Sequence, residues 1–308
     1  MTSAPAIQTA SPTVGVVIPT FGREQVLVET IGRLLPLGPT NLTVVDQTTC
    51  HEPETELMLT NWEKTGRLRL IRLAKPSIPR AMNLGLLATP AEIILFLDDD
   101  VIPSPNLLAA HTKAHREASD AWAVVGQVLQ PGEEPDLDDR QSPLGFNACR
   151  SGWINRAIAC NLSVKRDRFL EVGGFDENFV LAAYCFETEF AERVINRGGR
   201  VLFEPAANIR HLHAPRGGTR AHGHHLTTAT PAHAVGAYYH LLLKHGPTHA
   251  LQPAMHRLVR SVITRHHLHH PWGIPVTLLA EVRGWMMACS LSRSGPKLIH
   301  VSSASLPK

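Results

Sequence analysis

The segment EIILFLDDDV, residues 92–101, constrains this chain most: five apolar residues, Ile93 to Leu97, run into three consecutive aspartates. A continuous apolar run of that length reads as a strand buried on both faces, which a sheet covered by helices on both sides provides. Asp98, Asp99 and Asp100 then stand at its carboxyl end, where adjacent carboxylates repel one another. A single Asp or Ser is enough to cap a following helix. The surplus of charge therefore points to a divalent cation, since Mg2+ and Mn2+ prefer carboxylate oxygen and hold diphosphates through few protein ligands. Side chains alternate along an extended chain, so Asp98 and Asp100 project to the same side.

Similar apolar runs come before it: VGVVIPTF (14–21), NLTVVDQT (41–48) and RLRLIRL (67–73). Between the first two, Val26, Thr30, Ile31, Leu34 and Leu35 fall at helical spacing, with Gly38 placed to stop the helix. PRAMNLGLLATP (79–90) reads as another helix, closed by Pro90. Strands alternating with helices predict a parallel sheet whose ligands bind beyond the carboxyl ends of its strands, where the aspartates lie. After residue 120 the pattern loosens. AWAVVGQVL, RAIACNLSVKR and RVLFEP read as strands, RDRFLEVGG and ETEFAERVINRGG as helices. The first half is thus a nucleotide-binding α/β layout, and the second a mixed part that completes a site.

Taken in order, VVIPTFGR, VVDQT, Asn83-Leu84-Gly85, FLDDDV, CNLSVKRDRFLEVGGFDENF and ETEFAERV resemble family 2 of the glycosyltransferases over residues 13–220. The resemblance implies an α/β fold of the GT-A type: a Rossmann-like nucleotide-binding sheet, a mixed acceptor-side part and, here, a C-terminal helical appendage. It also implies an inverting transferase that uses Mn2+ or Mg2+ and a UDP- or GDP-linked nucleotide-diphospho-sugar as donor, with a hydroxyl acceptor. Asp98 and Asp100 match the ends of the family's DxD motif: Asp98 on the sugar or ribose side of the donor, Asp100 bridging to the diphosphate through the metal. Asp99 is counted with the donor site. By the same resemblance Pro19, Thr20 and Arg23 line the nucleotide pocket, Asp46 bonds the base, Asn83 matches an asparagine of the helix before the DxD strand, and His211 joins the metal shell. Glu187 aligns with the catalytic aspartate that takes the acceptor's proton, and Glu189 stands as its alternative. Taken alone, Asp46 reads equally as a turn residue, and His213 reads more readily as a surface or packing residue than as a ligand. The chain departs from the family at Gln47, at Phe21-Gly22 and at Phe186, which stands where an acid is usual. Arg216 and Arg220, around Gly217 and Gly218, suit a cationic lid over the diphosphate. The HHLHH run (266–270) has no acidic or cysteine partners at fixed spacing and reads as adventitious.

Composition bears on location and partners. The five cysteines are odd in number and form no CxxC pair, which fits the reducing cytoplasm. Residues 1–13 read as a disordered tail without the marks of a secretory signal, residues 14–230 as the transferase domain, and residues 231–308 as a basic helical region. That last region holds eight Lys or Arg against Glu281 alone, a net +7, whereas residues 1–230 carry 22 basic and 26 acidic side chains, a net −4. An anionic membrane surface is a candidate partner. Nucleic acid is not, because aromatic residues do not interleave with the basic ones. Leu251, Met255, Leu258, Val259, Val262 and Ile263 make one apolar face of a helix, while IPVTLLAEVRGWMMACSL (274–291) is broken by Glu281 and Arg283 and makes a poor membrane span. Two placements stay open: helices packed on the catalytic domain, or helices lying peripherally at the cytoplasmic membrane face, where a lipid-linked acceptor would be found. Two other functions compete. A nucleotidyltransferase would need a Gly-rich, Lys-bearing phosphate loop, which the first strand lacks, and a catalytically silent sugar-nucleotide-binding or scaffold protein draws its support from Phe186.

Overall fold

A computed structural model describes residues 12–138 and 144–300. Residues 1–11 of the expected tail lie outside the described residues, whereas Thr13 already holds the sheet: its carbonyl accepts from the Ile93 amide at 3.0 Å. The first half alternates as the apolar runs predict, through β1 (Val14–Thr20), α1 (Gln25–Leu34), β2 (Asn41–Asp46), α2 (Pro53–Lys64), β3 (Arg69–Arg72), α3 (Ile78–Ala88) and β4 (Ile93–Leu97). α2, between β2 and β3, buries Leu59 and Trp62. All four strands are parallel, in the order β3-β2-β1-β4.

The second half supplies β5 (Val101–Pro103), α4 (Leu107–Glu117), β6 (Ala121–Leu129), β7 (Gly152–Ile154), β8 (Asn161–Lys165), α5 (Arg166–Glu171), α6 (Phe186–Asn196) and β9 (Arg200–His211). β8 enters antiparallel between β4 and β6, β9 runs parallel to β6, and β5 and β7 pair antiparallel with β9. β9 skips register between Gly126 and Gln127, so that Glu204 faces the first and Asn208 the second. Such a bulge bends a strand. The bend carries the last residue of β9, His211, opposite Val101, immediately after the three aspartates.

Alternation in the strands splits the core between the two faces. Val16, Ile18, Leu95 and Leu97 pack with Leu27 and Ile31 of α1, while Val17, Ile94 and Phe96 face α3, α5 and α6. On this second side Phe175 is the centre of an aromatic group, with ring centroids 5.4 Å from Phe96, 5.0 Å from Phe169, 5.1 Å from Phe186 and 4.8 Å from Phe190. Phe186, 5% exposed, stands there for packing, edge-on to Phe175.

The chain closes with α7 (Val235–His249), broken at Gly246 ahead of Pro247, then α8 (Leu251–Val262), α9 (Arg265–His269) and α10 (Ile274–Arg293). Tyr238, Tyr239, Leu242 and Ala288 join the core on the α6 side. Fully buried Asp176 ties the region down, accepting from the Tyr239 hydroxyl at 2.8 Å and from the Lys297 amide at 2.8 Å. The stretch Pro271–Arg293 is long and apolar enough to cross a membrane by length and composition. Yet Glu281 is buried on it in an ion pair with Arg257 at 3.1 Å, and the helix lies along α7. His267 of the HHLHH run is buried between Thr264 and Thr277, a satisfied packing histidine.

Phe175 has no polar atom to lose and touches four other rings, so Phe175→Ala should cost about 3–5 kcal/mol of folding stability, read as a shifted midpoint in urea denaturation. A shift worth under about 1 kcal/mol would remove this ring from the centre of the core.

Candidate active site

The ends of β1, β4 and β9 meet around Arg23. Its Nε donates to Asp99 Oδ1 at 3.1 Å, its Nη2 to Asp100 Oδ2 at 3.2 Å, and its Nη1 to the carbonyls of Ala214 and Arg216. The Thr20 hydroxyl donates to the other Asp99 oxygen at 2.7 Å. Asp99, expected at the donor, is 6% exposed with both oxygens engaged inside the protein. It is corrected to a clamp that fixes Thr20 and Arg23, because those two side chains take up both of its oxygens. Burial pushes the Asp99 carboxyl up to about 7, against the charge of Arg23 and the bond from Thr20.

Asp98, Asp100 and His211 bring one ligand atom each to within 4.8 Å of the others, and among the described residues they are the group of His, Cys, Asp or Glu side chains placed to hold a metal ion. His211 Nε2 lies 3.4 Å from Asp98 Oδ2 and 3.1 Å from Asp100 Oδ1. The opposite ring nitrogen, Nδ1, bonds Gln130 Oε1 at 3.1 Å, which leaves Nε2 facing the carboxylates. Asp100 Oδ1 is buried without a well-aligned donor, while Oδ2 accepts from the Ala214 amide at 2.8 Å. Burial alone would raise the Asp100 carboxyl; the contacts with His211, Arg23 and Ala214 outweigh it and hold the group below its ordinary value. Burial likewise works against a charged His211, but its bonds to Asp100 and Asp98 prevail and lift the imidazole to about 9. His213 is exposed, with its ring 4.6 Å from that of His211, and is not part of the ligand group.

Glu187 and Glu189 separate. Glu187, in the first turn of α6, is half-buried, with Oε1 3.5 Å from the Ala159 amide and its charge felt by Asp98. Burial pushes its carboxyl up to about 7. Leu181, Ala183 and Cys185, just ahead of it, all take positive φ (61°, 51° and 73°), strain of the kind that collects at functional sites. Glu189 points elsewhere: both of its oxygens bind Arg193, at 2.5 and 2.8 Å, and Arg193 also donates to the carbonyls of Val172 and Gly174. As an alternative base it is corrected to an internal strut, since helical spacing puts the Arg193 fork over it.

Two further expectations change. Asp46 is 1% exposed; Oδ1 accepts from the Thr48 amide at 2.9 Å, and Oδ2 accepts from Arg72 at 2.8 Å and lies 3.1 Å from His51 Nε2. It buttresses the pocket wall and has no free oxygen for a base. Asn83 exchanges two bonds with the Phe175 backbone, Nδ2 to its carbonyl at 2.8 Å and Oδ1 from its amide at 2.9 Å. It joins α3 to the turn before α6. Gln47 accepts from the Ser77 amide at 2.6 Å and donates to the Thr20 carbonyl at 3.2 Å, pinning the end of β1 near Pro19 and Thr20. The loop expected as a lid is docked: a Cβ on Gly217 (φ 77°) would fall 2.3 Å from the Gly22 carbonyl oxygen, and the Gly218 amide donates to Phe21 at 2.7 Å. Gln130 and Cys160 were missed. Cys160 is buried among the charges of Asp98, Glu187 and Asp100, which together with burial hold its thiol protonated. No local pattern marks either residue. Beside α6 a cavity of about 750 Å³ is lined by Cys185, His233, His256, Arg257 and Arg260; neither Asp98 nor Glu187 reaches it.

The acidic residues lie at the point where the strand order of this nucleotide-type sheet reverses, the place where open α/β sheets bind their ligands. The model of glycosyl transferase family 2 matches residues 15–167. The chain belongs to glycosyl transferase family 2 and has the GT-A fold. It is 31% identical over 145 residues to a pre-mycofactocin glycosyltransferase of Mycobacterium tuberculosis, a match that takes in 43% of this chain but only 29% of that relative. The mannosyltransferase PcManGT of Pyrobaculum calidifontis, solved with GDP-Man and Mn2+, is similar in structure with a TM-score of 0.54 at 19% identity, over 93% of this chain and 80% of that one. TarS of S. aureus, solved with UDP-GlcNAc, gives a TM-score of 0.57 at 14% identity, over 92% and 74%.

Glu189→Gln should lower stability by about 1.5–3 kcal/mol, the range for a hydrogen bond to a charged group, while leaving catalytic rate at the level of the parent. A rate loss without a change in melting temperature would return Glu189 to the chemistry.

Proposed function

We propose that this chain is a metal-dependent inverting glycosyltransferase that moves a sugar from a nucleotide-diphospho-sugar to a hydroxyl acceptor. The observation that carries the reading is the set of two carboxylates and one imidazole converging at the end of β4, with Glu187 across from it. The donor atoms fit a hard divalent cation: two oxygens and one nitrogen, with Asp100 Oδ1 buried and lacking an aligned donor. Asp98, Asp100 and His211 would hold Mn2+ or Mg2+, which when bound offsets charge on the diphosphate as it leaves. The complexes of PcManGT with GDP-Man and Mn2+ and of TarS with UDP-GlcNAc support a donor of this class.

The remaining work falls to the chain itself. Arg23, held by Asp99, fixes the loop that carries Arg216 and Arg220, and Arg220 itself donates to the Ala214 carbonyl of that loop at 2.7 Å. Glu187 accepts the proton of the acceptor hydroxyl as its oxygen attacks the anomeric carbon from the side opposite the diphosphate, which inverts the configuration. A carboxyl raised to about 7 is a stronger base than an ordinary glutamate, and roughly half of it is ionised in neutral solution. Phe186 does not argue for a silent protein, because its ring fills the aromatic core.

Asp100→Ala should abolish the Mn2+-dependent part of nucleoside-diphosphate affinity in calorimetry, and an unchanged affinity would take Asp100 out of the metal set. Glu187→Gln should keep donor affinity and slow transfer by about a hundredfold or more. Because the base must be ionised, parent turnover should climb as pH rises through about 7 and then level off. A profile flat through that region in the parent would count against Glu187 as the base.

A further inference from the structure

The helices after residue 230 turn a series of large apolar side chains outward. On α8, Leu251, Met255 and Val259 recur every four residues and are 57%, 51% and 47% exposed, while Ala254 is the buried residue of this helix. The series continues through the connection to α10, where Ile263, Leu268 and Trp272 are 74%, 80% and 73% exposed. Leu279, Val282 and Met286 extend it along α10. Scattered exposed apolar residues are ordinary; a continuous series along two helices and their connection marks an interaction surface.

The charge around this surface has one sign. Arg260, Arg265 and Arg283 are exposed beside it, and the single acid of residues 231–308, Glu281, is buried against Arg257. A second copy of the chain seated here in a two-fold arrangement would bring the same arginine-bearing face against itself, with no exposed acid of residues 231–308 to neutralise it. An anionic bilayer supplies both complements: headgroup charge for the arginines and an acyl boundary for the apolar chains. Trp272, at the tip of the connection, has the amphipathic ring that settles at the level of the headgroups. Thr277, Ala280 and Glu281, buried on the inner side of α10, bind that helix to the protein, so that it lies along a surface and does not cross one. We propose that the outer face of α8, the 263–272 connection and α10 form an interfacial surface that docks on anionic lipid.

The full chain, co-sedimented with phosphatidylcholine vesicles with and without phosphatidylserine, tests this. Binding should require the anionic lipid and weaken as salt rises, because such attraction is screened over about 10 Å at about 0.1 M ionic strength. The triple variant Arg260→Glu, Arg265→Glu, Arg283→Glu should lose about tenfold or more of the vesicle partition. Leu268→Gln with Trp272→Gln should lose binding in low salt yet keep donor hydrolysis in the absence of vesicles, a readout of the transferase site that stands independent of docking. Equal binding to neutral vesicles, or no binding in low salt, would overturn the proposal. So would a concentration-dependent dimer, abolished by the Leu268 and Trp272 changes and unaccompanied by vesicle binding, which would assign the surface to a second copy.

Discussion

Asp99 and Asp100 are consecutive buried carboxylates that share one guanidinium, and the cleft is arranged around that sharing. Neighbouring like charges repel and burial disfavours each of them further, so the pair depends on compensation by the guanidinium. Arg23 bonds one oxygen of each, and its remaining nitrogen reaches the carbonyls of the loop after β9. The end of β1, the end of β4 and the 214–218 segment are thereby one electrostatic unit. Thr20 takes the second oxygen of Asp99, and the Ala214 amide shares Asp100 Oδ2 with Arg23, which leaves Asp100 Oδ1 to His211.

That arrangement depends on strands that break the parallel order. β8 runs antiparallel against β4 and separates it from β6, and the bulged β9 bends until His211 pairs with Val101. Gln130, at the end of β6, then holds the imidazole by its other nitrogen. On the opposite wall the left-handed residues ahead of α6 bring Glu187 into range of Asp98, while the Asn83 bonds and the aromatic group around Phe175 hold that turn against the sheet. Each wall of the site thus draws on both halves of the chain.

The C-terminal helices serve the same wall from behind. Asp176 binds Tyr239 and the Lys297 amide, and the Ile299 amide donates to the Gly173 carbonyl at 2.8 Å, so the segment that closes the chain also braces the turn leading to Glu187. Their inner faces are spent on this packing. Their outer faces carry apolar chains and arginines that nothing in the protein covers among the described residues.

The sequence by itself determined the alternation of the first half and the place of the acidic cluster, because apolar periodicity is local and a buried strand leaves the same mark wherever it occurs. It also set out the apolar face of residues 251–263 and the excess of positive charge after residue 230. The tertiary structure decided which acids are free and which are bound. Asp46 and Asp99 read as available carboxylates in the chain, but Arg72 and Arg23 occupy them in the fold, whereas the Glu189–Arg193 pair is local, one helical turn apart on α6. The partners of Asp46 and Asp99 lie 26 and 76 residues away, and Asn83 meets Phe175 across 92. Whether a carboxylate is spent on holding the protein or left facing the cleft depends on which donors the fold brings near. Separations of that size leave no pattern along the chain.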